Sequence, residues 1–122
     1  MVREVMENYL ECILMLNAER GCARSVDVAE RLGLTKPTVS HMLKQFRENG
    51  LIVIDGAGAI SLTDSGRAVA EPIYDRHVTI ARLLMHIGVE EKTAYIDACR
   101  IEHDLSDETF DCLCRYTAHE LE

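Results

Sequence analysis

The stretch from residue 25 to residue 62 constrains the fold most, because two short helices, a tight turn and a hairpin follow one another there. The segment SVDVAERLG predicts a helix with Ser25 as its N-cap and Gly33 as its stop. Thr35 caps a second predicted helix, TVSHMLKQFREN, and Pro37 is tolerated in its first turn. The runs LIVI and ISL flank the turn DGAG and predict a β-hairpin. This order of elements predicts a winged helix-turn-helix.

The second helix of this motif has an apolar and a polar face. We expect Val39 and Phe46 to be buried, and Leu34 to fill the space between the two helices with Val39. The opposite face carries polar, cationic and small apolar groups that can reach base edges and phosphates in a major groove. The candidate DNA-binding residues are Thr35, Lys36, Pro37, Thr38, Ser40, His41 and Lys44. The alternative is a solvated face on an ordinary helical hairpin.

Outside this motif, the spacing of apolar residues predicts helices only. A helix precedes the motif, and a long helix runs from its cap at Thr63 to His86 with Pro72 inside it. A proline at that place removes one backbone hydrogen bond and should bend or interrupt the helix. Two further helices are predicted, beginning at about Glu90 and after a cap at Ser106.

The distribution of charge separates two parts of the chain. The net charge of −8 argues, taken alone, against a nucleic-acid-binding protein. Residues 20–50 nevertheless hold six basic and three acidic residues, whereas residues 83–122 hold three basic and ten acidic residues. An anion can approach the first part and a cation the second. The two parts are therefore expected to have two different partners.

The acidic stretch DACRIEHDL places Cys99, Glu102 and His103 at positions i, i+3 and i+4. On a helix these three side chains project from one face. A thiolate, a carboxylate and an imidazole together suit a divalent transition metal. The alternative is that Cys99 packs in the core while Glu102 and His103 face water.

The cellular compartment is predicted from the cysteines and from the apolar runs. The five cysteines are an odd number in a chain whose N-terminus, MVREVMENYL, is no signal peptide, so we expect reduced thiols in the cytoplasm. No apolar run approaches the roughly 20 residues that cross a bilayer, and no membrane partner is expected.

Four stretches together resemble a known protein family. MENYLECILML, DVAERLGLTKPTVSHMLKQFRENGLI, ISLTDSGRAVA and DACRIEHDLS are similar to the metal-dependent repressors of the diphtheria toxin repressor and manganese transport regulator family. The resemblance covers residues 6 to about 108. It implies a mainly α fold of two domains. An N-terminal winged helix-turn-helix with a small β-hairpin wing, over residues 1–70, precedes an α-helical metal-binding and dimerisation domain over residues 71–122. We expect the short two-domain form, because the family's third, SH3-like domain does not fit in 122 residues.

The resemblance also implies a metal site. The implied ligands are Asn8, Glu11, His77, Cys99, Glu102 and His103. Asn8 departs from the family, which has methionine or aspartate there, and an amide offers a cation only its carbonyl oxygen. The alternative is that Asn8 is an exposed residue with no ligand role. Two ligands of the iron branch's ancillary site correspond to Ala81 and Tyr95, so we do not expect that site in its usual form.

Position 99 bears on the identity of the metal. The iron branch has cysteine at this position and the manganese branch has glutamate, so Cys99 favours Fe²⁺, with Mn²⁺ as the alternative. Zn²⁺, Co²⁺ or Ni²⁺ can substitute in vitro, because ordinary sites bind these later metals more tightly.

The resulting expectation is a metal-dependent transcriptional repressor that controls metal homeostasis and is not an enzyme. It would bind palindromic operator DNA as a homodimer, since a twofold pair of motifs multiplies specificity, and no other protein partner is implied. Metal would join the first helix to the dimerisation domain and set the spacing of the recognition helices. One alternative is a winged-helix regulator with a non-metal effector. Another is a small metallohydrolase with Glu102 as base, although no loop is large enough to form its substrate cleft.

Overall fold

A computed structural model describes residues 3–120 of the chain, and it is mainly helical, as expected. Its elements are α1 (Arg3–Arg20), α2 (Ser25–Leu32), α3 (Lys36–Glu48), β1 (Ile52–Ile54), β2 (Ile60–Leu62), α4 (Asp64–His86), α5 (Glu91–Ile101) and α6 (Asp107–Glu120). The chain divides into two compact units, of which unit 1 ends at Glu71 and unit 2 begins at Pro72. None of the helices in the described range is long and apolar enough to span a membrane.

The N-cap of the first helix of the motif lies one residue before the predicted cap. Arg24 is the N-cap of α2, and its backbone N–H donates to the carboxylate of Asp27 at 3.2 Å. Ser25 is the first helical residue, so the predicted cap at Ser25 is wrong. The reason is local, because the Asp27 side chain reaches back and satisfies the amide that precedes the helix. Gly33 ends the helix in the left-handed conformation, with φ at +68°.

The recognition helix α3 begins as predicted. Thr35 Oγ1 accepts a hydrogen bond from the backbone N–H of Thr38 at 3.4 Å, and Pro37 lies in the first turn. Val39 is fully buried, as expected. Leu34 is 40 % exposed, so the expectation that it fills the space between α2 and α3 is wrong. Its side chain instead lines an open groove of about 350 Å³.

The hairpin pairs β1 and β2 in antiparallel register. Ile52 lies opposite Leu62, and Ile54 lies opposite Ile60. Ile52, Ile60 and Leu62 are buried in the core of unit 1, which anchors the base of the wing to the helices. In the turn, Asp55 accepts hydrogen bonds from two backbone N–H groups, which gives the tip a defined shape.

Helix α4 starts in unit 1 and continues into unit 2. Thr63 Oγ1 accepts a hydrogen bond from the backbone N–H of Gly66 at 3.1 Å, as a helix cap does. The helix continues through Pro72, so the possible interruption predicted there does not occur. The carbonyl group that loses its donor belongs to Ala68, which is exposed, so water can bond to it.

The two helices that begin in unit 2 start where predicted, and the cap predicted at Ser106 is confirmed. The Glu90 carboxylate accepts from the backbone N–H of Thr93 at 3.1 Å before α5, and Ser106 Oγ accepts from the backbone N–H of Thr109 at 3.1 Å before α6. The buried apolar residues at the centre of unit 2 are Ile80, Ala81, Ala94 and Ala98. Three of these four are alanines, so α4 and α5 can approach each other closely.

Candidate metal centre and DNA-binding surface

Unit 2 contains a buried cluster of side chains that can ligate a metal. His77 comes from α4, Cys99 from the last turns of α5, and Glu102 from the residue that follows α5. A ring nitrogen of His77, the Sγ of Cys99 and a carboxylate oxygen of Glu102 lie within 4.8 Å of one another. His77 is 6 % exposed and Glu102 is 2 % exposed, whereas Cys99 is half-buried.

Neighbouring residues explain how the cluster forms. His77 precedes buried Ile80 and Ala81 by three and four positions, so it shares the apolar side of α4. Its Nδ1 lies 3.6 Å from Oε2 of Glu102. Its ring also lies against Tyr95 of α5, with 5.5 Å between the two ring centroids. The imidazole is therefore placed by contacts with two separate segments of unit 2.

The three residues of the stretch DACRIEHDL do not all lie on one helix. Helix α5 ends at Ile101, and Glu102 retains helical backbone angles as its C-cap. His103 lies in the following turn, which is closed by a hydrogen bond from the N–H of Asp104 to the carbonyl oxygen of Ile101. The predicted common helix is therefore wrong for His103. Its Nε2 lies 3.6 Å from Oε1 of Glu102, and its role as a ligand stays a prediction.

The other two predicted ligands lie on α1 in unit 1. Glu11 is 4 % exposed, and Asn8 is half-buried beside the groove that Leu34 also lines. Cys12, next to Glu11, is a core residue, and burial raises the pKa of its thiol to about 11. Because a thiol ligates metals as thiolate, Cys12 is a poor candidate ligand.

The donor set in unit 2 fits a divalent transition metal. One imidazole nitrogen, one sulfur and one carboxylate are the mixture of donors that first-row divalent ions accept. When the thiol is deprotonated to bind a metal, the thiolate and the carboxylate together bring two negative charges, and buried charges are costly unless compensated. A cation of charge two would supply that compensation.

The predicted DNA-binding residues form one exposed surface in unit 1. Each of them is exposed, on α3 or in the residue that caps it: Thr35, Lys36, Pro37, Thr38, Ser40, His41 and Lys44. On the opposite side of α3, Val39, Leu43 and Phe46 are buried in the core. The helix is thus fixed by its apolar side while its polar side remains accessible to a large ligand.

The structure adds Arg47 to this surface. An open cleft of about 340 Å³ between α3 and the hairpin is lined by Ser25, Ser40, Lys44, Arg47 and Gly58, among others. Two cations and two hydroxyl groups at one cleft suit the phosphates of a nucleic-acid backbone. Our sequence interpretation missed Arg47, although its spacing of three residues from Lys44 places both on one side of the helix.

Two family models together match nearly the whole chain. Residues 1–60 match the N-terminal DNA-binding domain of the iron dependent repressors, and residues 63–120 match their metal binding and dimerisation domain. The transcriptional regulator MntR of Escherichia coli O157:H7 is 38 % identical over 115 residues, which cover 94 % of this chain and 74 % of that protein.

Solved structures with this fold agree. The metal-dependent transcriptional regulator MtsR superposes with a TM-score of 0.80 at 31 % identity, and the manganese regulator SloR with a TM-score of 0.75 at 26 % identity. Each comparison covers 93 % of this chain, which spans 53 % and 54 % of the two solved chains.

These matches define a metal-responsive, DNA-binding transcriptional repressor, and the class contains regulators rather than enzymes. The chain belongs to the iron-dependent repressor family, which includes the MntR regulators. The family resemblance and the class of function predicted from the sequence are confirmed, and the metallohydrolase alternative is excluded.

Proposed function

We propose that this protein represses genes of metal homeostasis in the cytoplasm by binding palindromic operator DNA as a homodimer when a divalent metal is bound. The observation that carries the proposal is the buried cluster of His77, Cys99 and Glu102, which lies within the segment matched by a metal binding and dimerisation domain. We assign DNA binding to residues 1–70, and metal binding and dimerisation to residues 71–122.

The proposed DNA contacts divide into two kinds. Bases are assigned to the exposed residues of the first turns of α3, which are Thr35, Pro37, Thr38, Ser40 and His41. Phosphates are assigned to Lys36 and Lys44, with Arg47 beside Lys44 at the cleft. Lys44→Ala should weaken binding on all DNA sequences and reduce the slope of log affinity against log salt by about one. A changed base preference with an unchanged salt slope would contradict the assignment of Lys44.

For the metal, we propose Fe²⁺ and Mn²⁺ as the activating ions. The relatives named as manganese regulators favour Mn²⁺, whereas a thiolate at position 99 favours a softer ion such as Fe²⁺. Cys99→Glu replaces the thiolate with a carboxylate, so it should raise activation by Mn²⁺ relative to Fe²⁺ in anaerobic operator binding. An unchanged ratio would contradict a ligand role for Cys99.

The proposed mechanism adds residues from both ends of the chain to the ligand set. On the basis of the family resemblance, Asn8 and Glu11 of α1 and His103 join the three clustered residues. A metal held by all of them would tie α1 to the dimerisation half and fix the distance between the two recognition helices. The metal supplies positive charge, and it favours the DNA-competent state only by binding that state more tightly than the other.

Operator binding with and without metal tests this proposal. Operators are selected from random duplexes, once with Mn²⁺ and once with chelator, and are then titrated under both conditions. We expect metal to raise operator affinity by roughly 5- to 150-fold, which corresponds to a typical allosteric coupling. Glu102→Gln should abolish this stimulation while weak non-specific binding remains. Glu108→Gln, which changes an exposed carboxylate of α6, is the matched control and should retain the stimulation by metal.

One result would reject the proposal. Equal operator affinity in chelator and in saturating Mn²⁺ or Fe²⁺, for the unmodified protein, would instead favour a winged-helix regulator with a non-metal effector.

A further inference from the structure

Arg76, the residue before His77 on α4, contacts the segment that carries Glu102 and begins α6. Its Nη1 donates to the backbone carbonyl oxygen of Glu102 at 3.4 Å, and its Nη2 forms an ion pair with Asp107. The guanidinium carbon lies 4.7 Å from the centroid of the Phe110 ring. The Arg76 side chain is only 18 % exposed, so these contacts hold it between the helices of unit 2.

The position of these contacts has a clear physical role. Carbonyl groups at the end of a helix lack donors within the helix, and Glu102 is the C-cap of α5. A guanidinium there supplies a charged donor and interacts favourably with the negative end of the helix. Because guanidinium is planar and carries several donors, Arg76 can bond to a carbonyl and a carboxylate while it lies over an aromatic ring.

The backbone of Glu102 is therefore held from α4, the helix that also provides His77. Among the three clustered residues of unit 2, Glu102 offers a hard carboxylate oxygen, whereas His77 and Cys99 offer nitrogen and sulfur. Carboxylate oxygens suit Mn²⁺, whereas Co²⁺ lies later in the affinity order and is bound more tightly than Mn²⁺ by a given set of nitrogen, oxygen and sulfur donors. Mn²⁺ thus depends more than Co²⁺ on the placement of the Glu102 carboxylate.

We propose that Arg76 is a positioning residue of the metal centre, which it adapts to Mn²⁺ by fixing Glu102. This inference rests on the proposed function, because it assumes that the cluster binds metal. Loss of Arg76 would loosen the turn between α5 and α6 and leave the nitrogen and sulfur donors in place. Affinity for Mn²⁺ would then fall more than affinity for Co²⁺.

The chain offers a matched control on the same helix. Arg67 also donates to a backbone carbonyl, that of Leu62 at 3.1 Å, and also forms an ion pair with an aspartate, Asp64. Arg67 belongs to unit 1, and neither of these two bonds involves a residue of the metal-ligand cluster. Its removal tests the loss of an arginine from α4 without a change at the metal centre.

The experiment measures Mn²⁺ and Co²⁺ affinities of the full chain by anaerobic calorimetry for the unmodified protein and for Arg76→Gln, Arg76→Lys and Arg67→Gln. For Arg76→Gln we expect Mn²⁺ affinity to fall by about 10- to 100-fold, as for other residues that orient ligands. Co²⁺ affinity should fall less, and the thiolate-to-Co²⁺ absorption should persist. Arg76→Lys keeps the charge without the planar fork and should give an intermediate ratio of affinities. Arg67→Gln should leave that ratio unchanged.

A role of Arg76 in stability alone would lower both affinities by the same factor, and this result would overturn the inference. If circular dichroism shows that Arg76→Gln is unfolded, the test rests on Arg76→Lys. An unchanged ratio of Mn²⁺ to Co²⁺ affinity in that variant would also overturn the inference. Binding of both metals by the unmodified protein, with parallel losses in the variants, would reject only the role of Arg76. Failure of the unmodified protein to bind either metal would reject the proposed function too.

Discussion

The interiors of the two units differ in chemical character. In the described part of unit 1, residues 3–71, fifteen buried apolar residues form one cluster, in which Tyr9 packs edge-on against Phe46 with 5.3 Å between the ring centroids. The corresponding cluster of unit 2 has four buried members among the described residues, and only Ile80 is larger than alanine. Of the ten largest fully buried side chains described, nine belong to unit 1, and the tenth is Glu102 of unit 2.

This difference indicates what stabilises each unit. Apolar burial stabilises unit 1 by about 25 cal/mol for each Å² removed from water, and it requires no ligand. A buried carboxylate stabilises a fold only when its charge is compensated. A cation bound beside Glu102 would supply that compensation, whereas the fifteen-residue apolar cluster of unit 1 requires none. Unit 2 also leaves apolar side chains such as Ile87 exposed, at 69 %, as expected for a dimerisation domain.

The largest effect should come from the core of unit 1. Phe46→Ala removes a fully buried ring and should cost about 3–5 kcal/mol of unfolding free energy. Phe110→Ala in unit 2 is the comparison, and it should cost less, because Phe110 is only half-buried. Urea denaturation in chelator measures both. An equal or larger loss for Phe110→Ala would contradict the contrast between the two interiors.

A smaller effect should follow from metal. At a free concentration of about 100 times its dissociation constant, Mn²⁺ should stabilise the state that binds it by about 2.7 kcal/mol. Amide hydrogens of α5 that exchange through opening of unit 2 should therefore exchange roughly 100-fold more slowly with metal. The exchange rates in α3 should change much less. The variant Glu102→Gln should lose this protection. Equal slowing in α3 and α5 would show that metal does not act on unit 2 in particular.

The smallest effect should appear at the tip of the wing. The backbone N–H groups of Ala59 and Ala57 donate to Asp55 and lower the pKa of its carboxyl below the ordinary value of 3.8. Since the folded pKa is lowered, this contribution to stability is present above 3.8 and is lost as pH falls through the folded pKa. Amide chemical shifts of Ala57 and Ala59 should titrate with a midpoint below 3.8. A midpoint at or above 3.8 would contradict these bonds, and Asp55→Asn should abolish the transition.

The parts of the fold predicted correctly depend on local chemistry. The caps at Thr35 and Ser106 and the hairpin after α3 follow from side chains that bond a few residues away, and such signals are visible in the sequence. The cap of α2 was predicted wrongly because arginine is not a residue that usually caps helices. The bond that marks this helix start comes from Asp27, which accepts from the Arg24 amide three residues earlier.

The candidate site was only partly accessible to sequence reasoning. The spacing of three residues between Cys99 and Glu102 predicted that their side chains lie together. His77 lies more than twenty residues away, and it was found only through the family resemblance. The end of α5 was missed because it depends on tertiary contacts. Arg76 bonds to Glu102 from another helix, and no periodicity within α5 encodes that bond.

The most direct test of the central claim, that metal bound in unit 2 controls DNA binding by unit 1, is the Mn²⁺ affinity of the protein measured with and without saturating operator. Linkage requires operator to tighten metal binding by the same factor by which metal tightens operator binding, roughly 5- to 150-fold. We predict this increase for the unmodified protein and for Glu108→Gln. Identical Mn²⁺ affinity in the presence and absence of operator would contradict the account.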